Sequence, residues 1–345
     1  MRGFGLKPIW MFLALSFYAR TVPAQEMQVG ETISRDVLEV YSLGLGYLQA
    51  KQNSQGTWEA GEGNGPGTTA LAVLAFLASG EDPNFGPYRE SIRSGLRHII
   101  SKQSGTTGYM GPSMYHHGFA TLALSEAYGV VDDEELFRAS TAKNRRSLEE
   151  ALELAIRAAL TAQNRNGFGG WRYSPAASDA DTSVSGSVMM GLLAARNAGF
   201  EIPEESVERA IAYFERMTAR NGVVGYSSVS DGNGESMARS SIVNLVLSIA
   251  GRNDSPAYAS TGTYLVANRD APAIWPEYAR YYQAQALFQY DVEAWRAWNT
   301  RVIQQLKKRQ KDDGSFEGDL GVINSTSMNL LTLAVNFRFL PIYER

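Results

Sequence analysis

From Tyr41 onward two kinds of apolar segment alternate along the chain. One kind keeps its apolar residues on a single stripe and charges on the other face, as in Glu149-Glu150 to Arg157 and Glu204-Glu205 to Glu215-Arg216. That is the pattern of a helix with one side in solvent. The other kind is apolar or small nearly all round: Thr69 to Leu74, Gly118 to Ala123, Ser183 to Leu193, Ser241 to Val246, Tyr282 to Phe288 and Ser327 to Leu333. Such segments predict helices buried on every side. Period-2 runs of β-branched residues between tight turns are nearly absent, so the expected class is all-α.

The junction between the two kinds repeats. Tyr47-Leu48-Gln49-Ala50-Lys51-Gln52 precedes Gly56-Thr57-Trp58, and His98-Ile99-Ile100-Ser101-Lys102-Gln103 precedes Gly108-Tyr109. The phrase returns before Gly167 and Gly170-Trp171, before Gly222 and Gly225-Tyr226, in degenerate form at Tyr264-Leu265, and as Gln310, Gly314 and Phe316. Gly80, Gly129, Gly199 and Gly251 follow the first four buried segments, where a helix ends on a left-handed residue. The chain therefore reads as about six helical hairpins. Repeat length varies from about forty to sixty residues, too irregular for a uniformly stacked solenoid, and favours an α/α toroid with inner helices ringed by outer ones. Asp132 to Glu150, with Lys143, Arg145 and Arg146, is a charged insertion expected to form an exposed helix or loop.

The N-terminus changes the domain picture. Arg2 and Lys7, the apolar run Ile9 to Ala19 and the small residues of Val22-Pro23-Ala24 form a signal-peptide pattern with cleavage before Gln25. The expected division is a leader over 1–24, a lead-in over 25–40 and the toroid over 41–345, with the mature protein exported to the periplasm or beyond. The run is too short to span a bilayer as a helix, and no later run reaches that length. A formal charge of −4 gives no footprint for nucleic acid. The 345 residues include no cysteine, which removes thiol nucleophiles, Cys-ligated zinc and thioester chemistry.

Candidate chemistry sits at the starts of the buried helices, which converge at one mouth of a closed ring and favour an anion there through their dipoles. These starts carry Tyr115, His116 and His117; Asp179, Asp181 and Thr182; Glu235, Ser236 and Arg239; and Tyr278, Tyr281 and Tyr282. Thr68, Thr182, Ser236 and Ser325 read as N-caps, and Asp179 or Asp181 as an alternative cap. His116 and His117 point about 100° apart on a helix, so one faces the cavity. Trp275, Tyr278, Tyr281 and Tyr282 form an aromatic wall suited to an apolar ligand or a sugar. Trp58, Trp171 and Tyr226 are expected to staple neighbouring hairpins, and the Gln residues before them to bond turn backbone.

The recurring aromatic-Leu-x-x-x-Gln-x-x-x-Gly-x-Trp phrase, found from about Tyr41 to Ala334, resembles the repeat of squalene and terpenoid cyclases and of protein prenyltransferase β-subunits. The resemblance extends to single-ring, signal-bearing bacterial proteins of this repeat family through Met114-Tyr115-His116-His117-Gly118-Phe119-Ala120 and Gly169-Gly170-Trp171-Arg172-Tyr173. It implies a cavity for an isoprenoid or other apolar ligand and, if active, an isomerase or transferase. Cyclases of this kind open an inner helix with Asp-x-Asp-Asp-Thr, whose central Asp protonates an alkene or epoxide. Here the run is Ser178-Asp179-Ala180-Asp181-Thr182, so Ala180 stands at the acid's place while Asp179 and Asp181 flank it. The zinc site of the prenyltransferases lacks its thiolate here; an oxygen- and nitrogen-ligated metal on Asp179, Asp181 and a histidine is the remaining possibility, and no cofactor is expected. Asp181, Asp179, His117 and His116 are thus the catalytic candidates, and Tyr115, Arg239, Glu235, Tyr278, Tyr281 and Tyr282 the substrate-binding ones. The alternatives are a non-catalytic binding or scaffold ring, and a carbohydrate-active lyase or glycosidase using Asp181 and Glu235 as its acid pair.

Overall fold

The computed structural model describes residues 33–58, 65–138, 145–232 and 237–343. The leader expected over 1–24 lies outside them, as do Glu235 and Ser236. In chain order the helices are α1 (Arg35–Lys51), α2 (Pro66–Leu77), α3 (Arg89–Ser101), α4 (Met114–Ala127), α5 (Asp133–Leu136), α6 (Leu148–Gln163), α7 (Thr182–Asn197), α8 (Glu204–Met217), α9 (Met237–Ile249), α10 (Pro256–Asn268), α11 (Pro276–Tyr290), α12 (Val292–Arg309) and α13 (Val322–Ala334). Among the described residues the only β pairing outside them is an isolated bridge between Thr218 and Val224.

The two helix kinds take the two expected places. The inner helices α2, α4, α7, α9, α11 and α13 pack each on the next, and α13 packs back on α2, so the ring is closed. Every described residue of α2 is buried, as its all-round apolar pattern requires. Small residues let inner backbones approach: a Cβ on Gly118 of α4 would lie 2.5 Å from the Ser187 backbone of α7. The outer helices α1, α3, α6, α8, α10 and α12 cover the ring. On the outside, α12 meets α1 through Lys307, which is 2.9 Å from Glu39 and also pairs with Asp36.

That closure moves a boundary. The toroid begins at Arg35 and not at Tyr41, because Val37 and Val40 are core residues of α1. Residues 35–40 of the expected lead-in therefore belong to the first outer helix. Of the charged insertion, 139–144 with Lys143 lie outside the described residues, and the flanking parts are tied into the fold. Asp132 caps the short helix α5, both carboxylate oxygens of Asp133 accept from the Leu148 N–H at 3.1 Å, and Ser147 and Glu150 form a capping box that starts α6.

The repeated turn is a staple between hairpins. Gln52 donates through Nε2 to its own turn at Gly56 O and to Ser91 O on the next outer helix, at 3.0 and 2.9 Å. Gln163 does the same to Gly169 O and Ser206 O, Gln310 to Gly314 O and Val40 O, and Gln103 reaches Ala151 O. The turn glycine then abuts the carbonyl one helical turn further on. Gly108, at φ +75°, would place a Cβ 2.0 Å from Leu154 O, and Gly314 one 2.1 Å from Leu43 O. No other residue fits there, since both the left-handed backbone and the adjoining carbonyl exclude a side chain. Two residues beyond the glycine the chain plugs the hairpin with Trp58, Met110, Trp171, Val224 or Phe316, all buried. The indole N–H groups of Trp58 and Trp171 donate to Leu48 O and Ala159 O.

Candidate functional site

The first turns of all six inner helices meet around one cavity of about 720 Å³. Thr68 comes from α2, Tyr115 and His116 from α4, Ser183 from α7, Ala238 and Arg239 from α9, Tyr278 from α11, and Asn324 from α13. Four of the helices contribute what stands one or two places before a residue that fastens their own turn. Those fasteners are Thr69 on Thr57 Oγ1, His117 on the Met110 N–H, Ser185 on the Trp171 N–H and Thr326 on the Phe316 N–H.

The two histidines thereby separate. His117 is fully buried; its Nδ1 accepts from Met110 N at 3.2 Å and its Nε2 donates to Ala155 O at 3.0 Å. Both nitrogens are taken by backbone, which fixes a neutral ring, and burial pulls its pKa down to about 4. It occupies the fastening position and does not line the cavity. His116 does line it, with Nδ1 accepting from Gly67 N at 3.2 Å, and burial lowers its pKa as well.

Aromatic faces make up much of the wall. Tyr115 sits with its ring centroid 5.2 Å from Phe119 and 6.1 Å from Tyr278. Of the four-residue wall expected from the fifth repeat, Trp275 and Tyr278 line the space, whereas Tyr281 and Tyr282 are buried behind Tyr278, packed edge-on at 4.7 Å to each other. Helical geometry explains the division, since Tyr282 lies one turn deeper than Tyr278 on the same face. Burial drives the phenols of Tyr115 and Tyr278 well above their ordinary pKa, so they remain neutral hydrogen-bonding groups.

Tyr226 belongs to this wall and not to the staples, because Val224 fills the plug position of the fourth turn. Its ring lies under the Arg172 guanidinium at 5.3 Å, beside Tyr173, which also lines the cavity. Leu71, Phe119 and Met328 complete the apolar floor. The sequence signal for these was available: each lies three or four residues after a mouth residue, Thr68, Tyr115 or Asn324, and so shares its helix face.

Asp181 is the N-cap of α7, accepting from Val184 N at 2.8 Å through Oδ1. Its Oδ2 is buried without a hydrogen bond, 3.8 Å from Arg172 Nε. Burial raises its pKa to about 6, against the opposing pull of the Val184 N–H and Arg172. Asp179 is exposed and pairs with the same Arg172 Nε at 3.6 Å. Neither carboxylate lines the cavity, and Ala180 between them is buried.

The other expected caps serve differently. Thr182 is already the first residue of α7 and donates to Gly225 O at 2.7 Å. Gly65 and Gly321 occupy the cap positions of α2 and α13, so Thr68 and Ser325 lie inside their helices. Arg239 donates through Nε to Val224 O at 2.8 Å while lining the cavity. Glu235 is outside the described residues. No group of three His, Asp or Glu side chains among the described residues is placed to hold a metal ion, so Asp179, Asp181 and a histidine do not converge on one.

No family model matches the chain, and no curated protein matches it either. Solved structures do. A variant of the type II terpene cyclase MstE from Scytonema, in complex with geranylgeranyl dihydroxybenzoate, is 14% identical with a TM-score of 0.60, covering 88% of this chain and 98% of the cyclase. The same cyclase without ligand gives 0.58 at 15% identity, covering 89% and 100%. A protein from Actinoplanes gives 0.60 at 12% identity, covering 86% and 98%. The chain thus has the α/α toroid fold of the terpenoid cyclases, as its repeat implies.

Proposed function

We propose that this toroid binds an isoprenoid or similar apolar chain in its central cavity and does not cyclise it. The observation that carries the reading is the wall itself: Tyr115, Phe119, Tyr173, Tyr226, Trp275 and Tyr278 surround a space closed below by Leu71 and Met328. A cavity of this size, apolar with a few convergent polar groups, suits a molecule of twenty or so carbons (on the order of 300–1,000 Å³ is usual for small-molecule sites). Among the described lining residues the acidic and basic side chains are Arg239 and Asp319, and burial disfavours the charged form of His116. They would orient a polar head at the mouth. In the solved neighbour the ligand is geranylgeranyl dihydroxybenzoate, a prenyl chain on a polar ring.

Protonating an alkene requires a strong acid aimed at it. Ala180 stands where the cyclase acid would, Asp179 is solvated beside Arg172, and Asp181 spends one oxygen capping α7. We therefore assign Asp181 to holding the mouth in shape. The test is to incubate purified chain with geranylgeraniol and with squalene, record native mass spectra, and analyse the extracted lipid. The expected result is a one-to-one complex with unchanged lipid, lost in Tyr115→Lys while circular dichroism is retained. Absence of any retained lipid sinks the binding claim, and a cyclised product sinks the assignment of Asp181.

A further inference from the structure

A second cavity of about 440 Å³ lies between the segment that follows α10, the helices α11 and α12, and Met237 of α9, and shares no lining residue with the central one. Its charge is unbalanced. Arg269, Arg280 and Arg301 line it against a single lining carboxylate, Asp270. Arg301 takes that carboxylate in a bidentate pair, through Nη2 at 2.8 and 2.9 Å and Nε at 3.1 Å. Arg269 touches Asp270 only at 3.9 Å, and its one hydrogen bond runs from Nη1 to Val266 O at 2.7 Å. Arg280 donates from Nη2 to Asn329 Oδ1 at 3.0 Å, and the structure gives it no ion pair among the described residues. The Nε of Arg269 and the Nε of Arg280 are both buried without an acceptor.

Arg269 keeps 33% of its side-chain surface exposed while Arg280 is set deeper, and a guanidinium so withdrawn from water gains from a charged oxygen partner. Arg280 stays charged even so: burial lowers its pKa to about 10, still far above neutrality, with Glu277 opposing the shift and Arg309 adding to it. Two forked donors, one at the C-terminal cap of α10 and one on α11, match the geometry of a carboxylate or phosphate group. Gln283, which donates to Arg269 O at 2.9 Å, fixes the backbone of one of them. Trp298 and Pro276 add apolar surface on which a small organic body can rest.

We infer that the α10–α12 cavity is a binding site for a small organic oxyanion, held by Arg269 and Arg280 and independent of the apolar ligand in the ring. The function is that of a second, polar site on the outer wall, filled by a carboxylate or a phosphate monoester.

Calorimetric titration of the whole chain with inorganic phosphate, phenyl phosphate, benzoate and the uncharged benzyl alcohol tests this. Saturable binding of the anions and none of the alcohol is expected, with the ratio of phenyl phosphate to benzoate naming the oxyanion. Arg280→Gln should weaken the anion by about tenfold or more, as loss of one charge-assisted contact does. Arg269→Gln, whose side chain is partly exposed and whose loss leaves the core intact, should do the same if Arg280→Gln proves poorly folded. Arg239→Gln, in the central cavity, should leave the affinity unchanged. The inference is overturned if no anion binds, if Arg269→Gln and a folded Arg280→Gln bind as the parent does, or if Arg239→Gln alone abolishes binding.

Discussion

His116 and His117 are neighbours in the chain but belong to two different regions of the molecule. His117 is part of a belt of turns that fastens six hairpins; His116 is part of a wall that faces a ligand-sized space. Residues in the belt answer to their counterparts in the other repeats: His117 does for Met110 what Ser185 does for Trp171 and Thr326 for Phe316. Residues in the wall answer to nothing in the other repeats. Gly67, Tyr115, Ser183, Ala238 and Asn324 are the corresponding wall positions and share no chemistry. The lesson is that in this repeat ring, recurrence marks what holds the fold, and departure from it marks what lines the cavity.

Substitutions in the belt should be felt mainly as stability. The largest effect is expected at Gly108→Ala, which adds a Cβ 2.0 Å from Leu154 O on a left-handed backbone. Denaturant unfolding should show a loss of about 4 kcal/mol or more. Gly129→Ala is the control: its φ of +79° is similar but nothing lies within 4 Å, so about 1 kcal/mol is expected. Equal losses at the two glycines would mean that the carbonyl contact is not what the turn requires.

Gln163→Ala comes next. It removes buried donors to Gly169 O and Ser206 O and a partly buried acceptor for Arg209 at 2.9 Å, and should lose about 2–4 kcal/mol.

Asp181 lies between belt and mouth and carries a pH signature. Its folded pKa of about 6 exceeds the reference 3.8, so the folded chain holds this proton more tightly than the unfolded one. Stability from this group is therefore greatest below about 4 and falls as pH rises to about 6. Asp181→Asn keeps an oxygen to cap Val184 and removes the charge. It should be more stable than the parent by about 2 kcal/mol at pH 8, the difference closing as pH falls towards 4. His117 and His98, both lowered to about 4 by burial, act in the opposite sense: they lose stability as pH falls from 6.5. A difference between Asp181→Asn and parent that does not change with pH would contradict the burial of the charged carboxylate.

The smallest effect belongs to the wall. Arg239→Gln forfeits the bond to Val224 O and should change stability by less than about 1 kcal/mol while altering retention of a ligand with a polar head.

Much of the ring was legible in the sequence because its requirements recur. The Gln and the turn Gly recur in four of the turns, and the all-round apolar segments mark which helices lie inside. The start of α1 was not legible: Arg35 to Val40 lies before the first repeat phrase, and its pairing with Lys307 spans almost the whole chain. The mouth was legible as a place, since all six inner helices bring their first turns to it. Its occupants were only partly so. Tyr281 and Tyr282 looked like wall because tyrosines cluster there, but one helical turn of depth buries them. Tyr226 looked like a plug because Gly-Tyr imitates Gly-Trp, while Val224 is the residue with the matching offset from its glycine. The Arg269 and Arg280 cavity had no sequence signature, because its lining comes from the start of α9, the segment after α10, α11 and α12, which only tertiary packing brings together.

Trp275 can report directly whether the wall receives an apolar ligand. It lines the cavity with 45% of its surface exposed, whereas Trp58, Trp171, Trp295 and Trp298 are buried. Titration with geranylgeraniol should change the indole emission saturably at one ligand per chain, and Trp275→Phe should remove most of that change without removing the ring's circular dichroism. An emission that stays constant, or a change that persists undiminished in Trp275→Phe, would contradict the account.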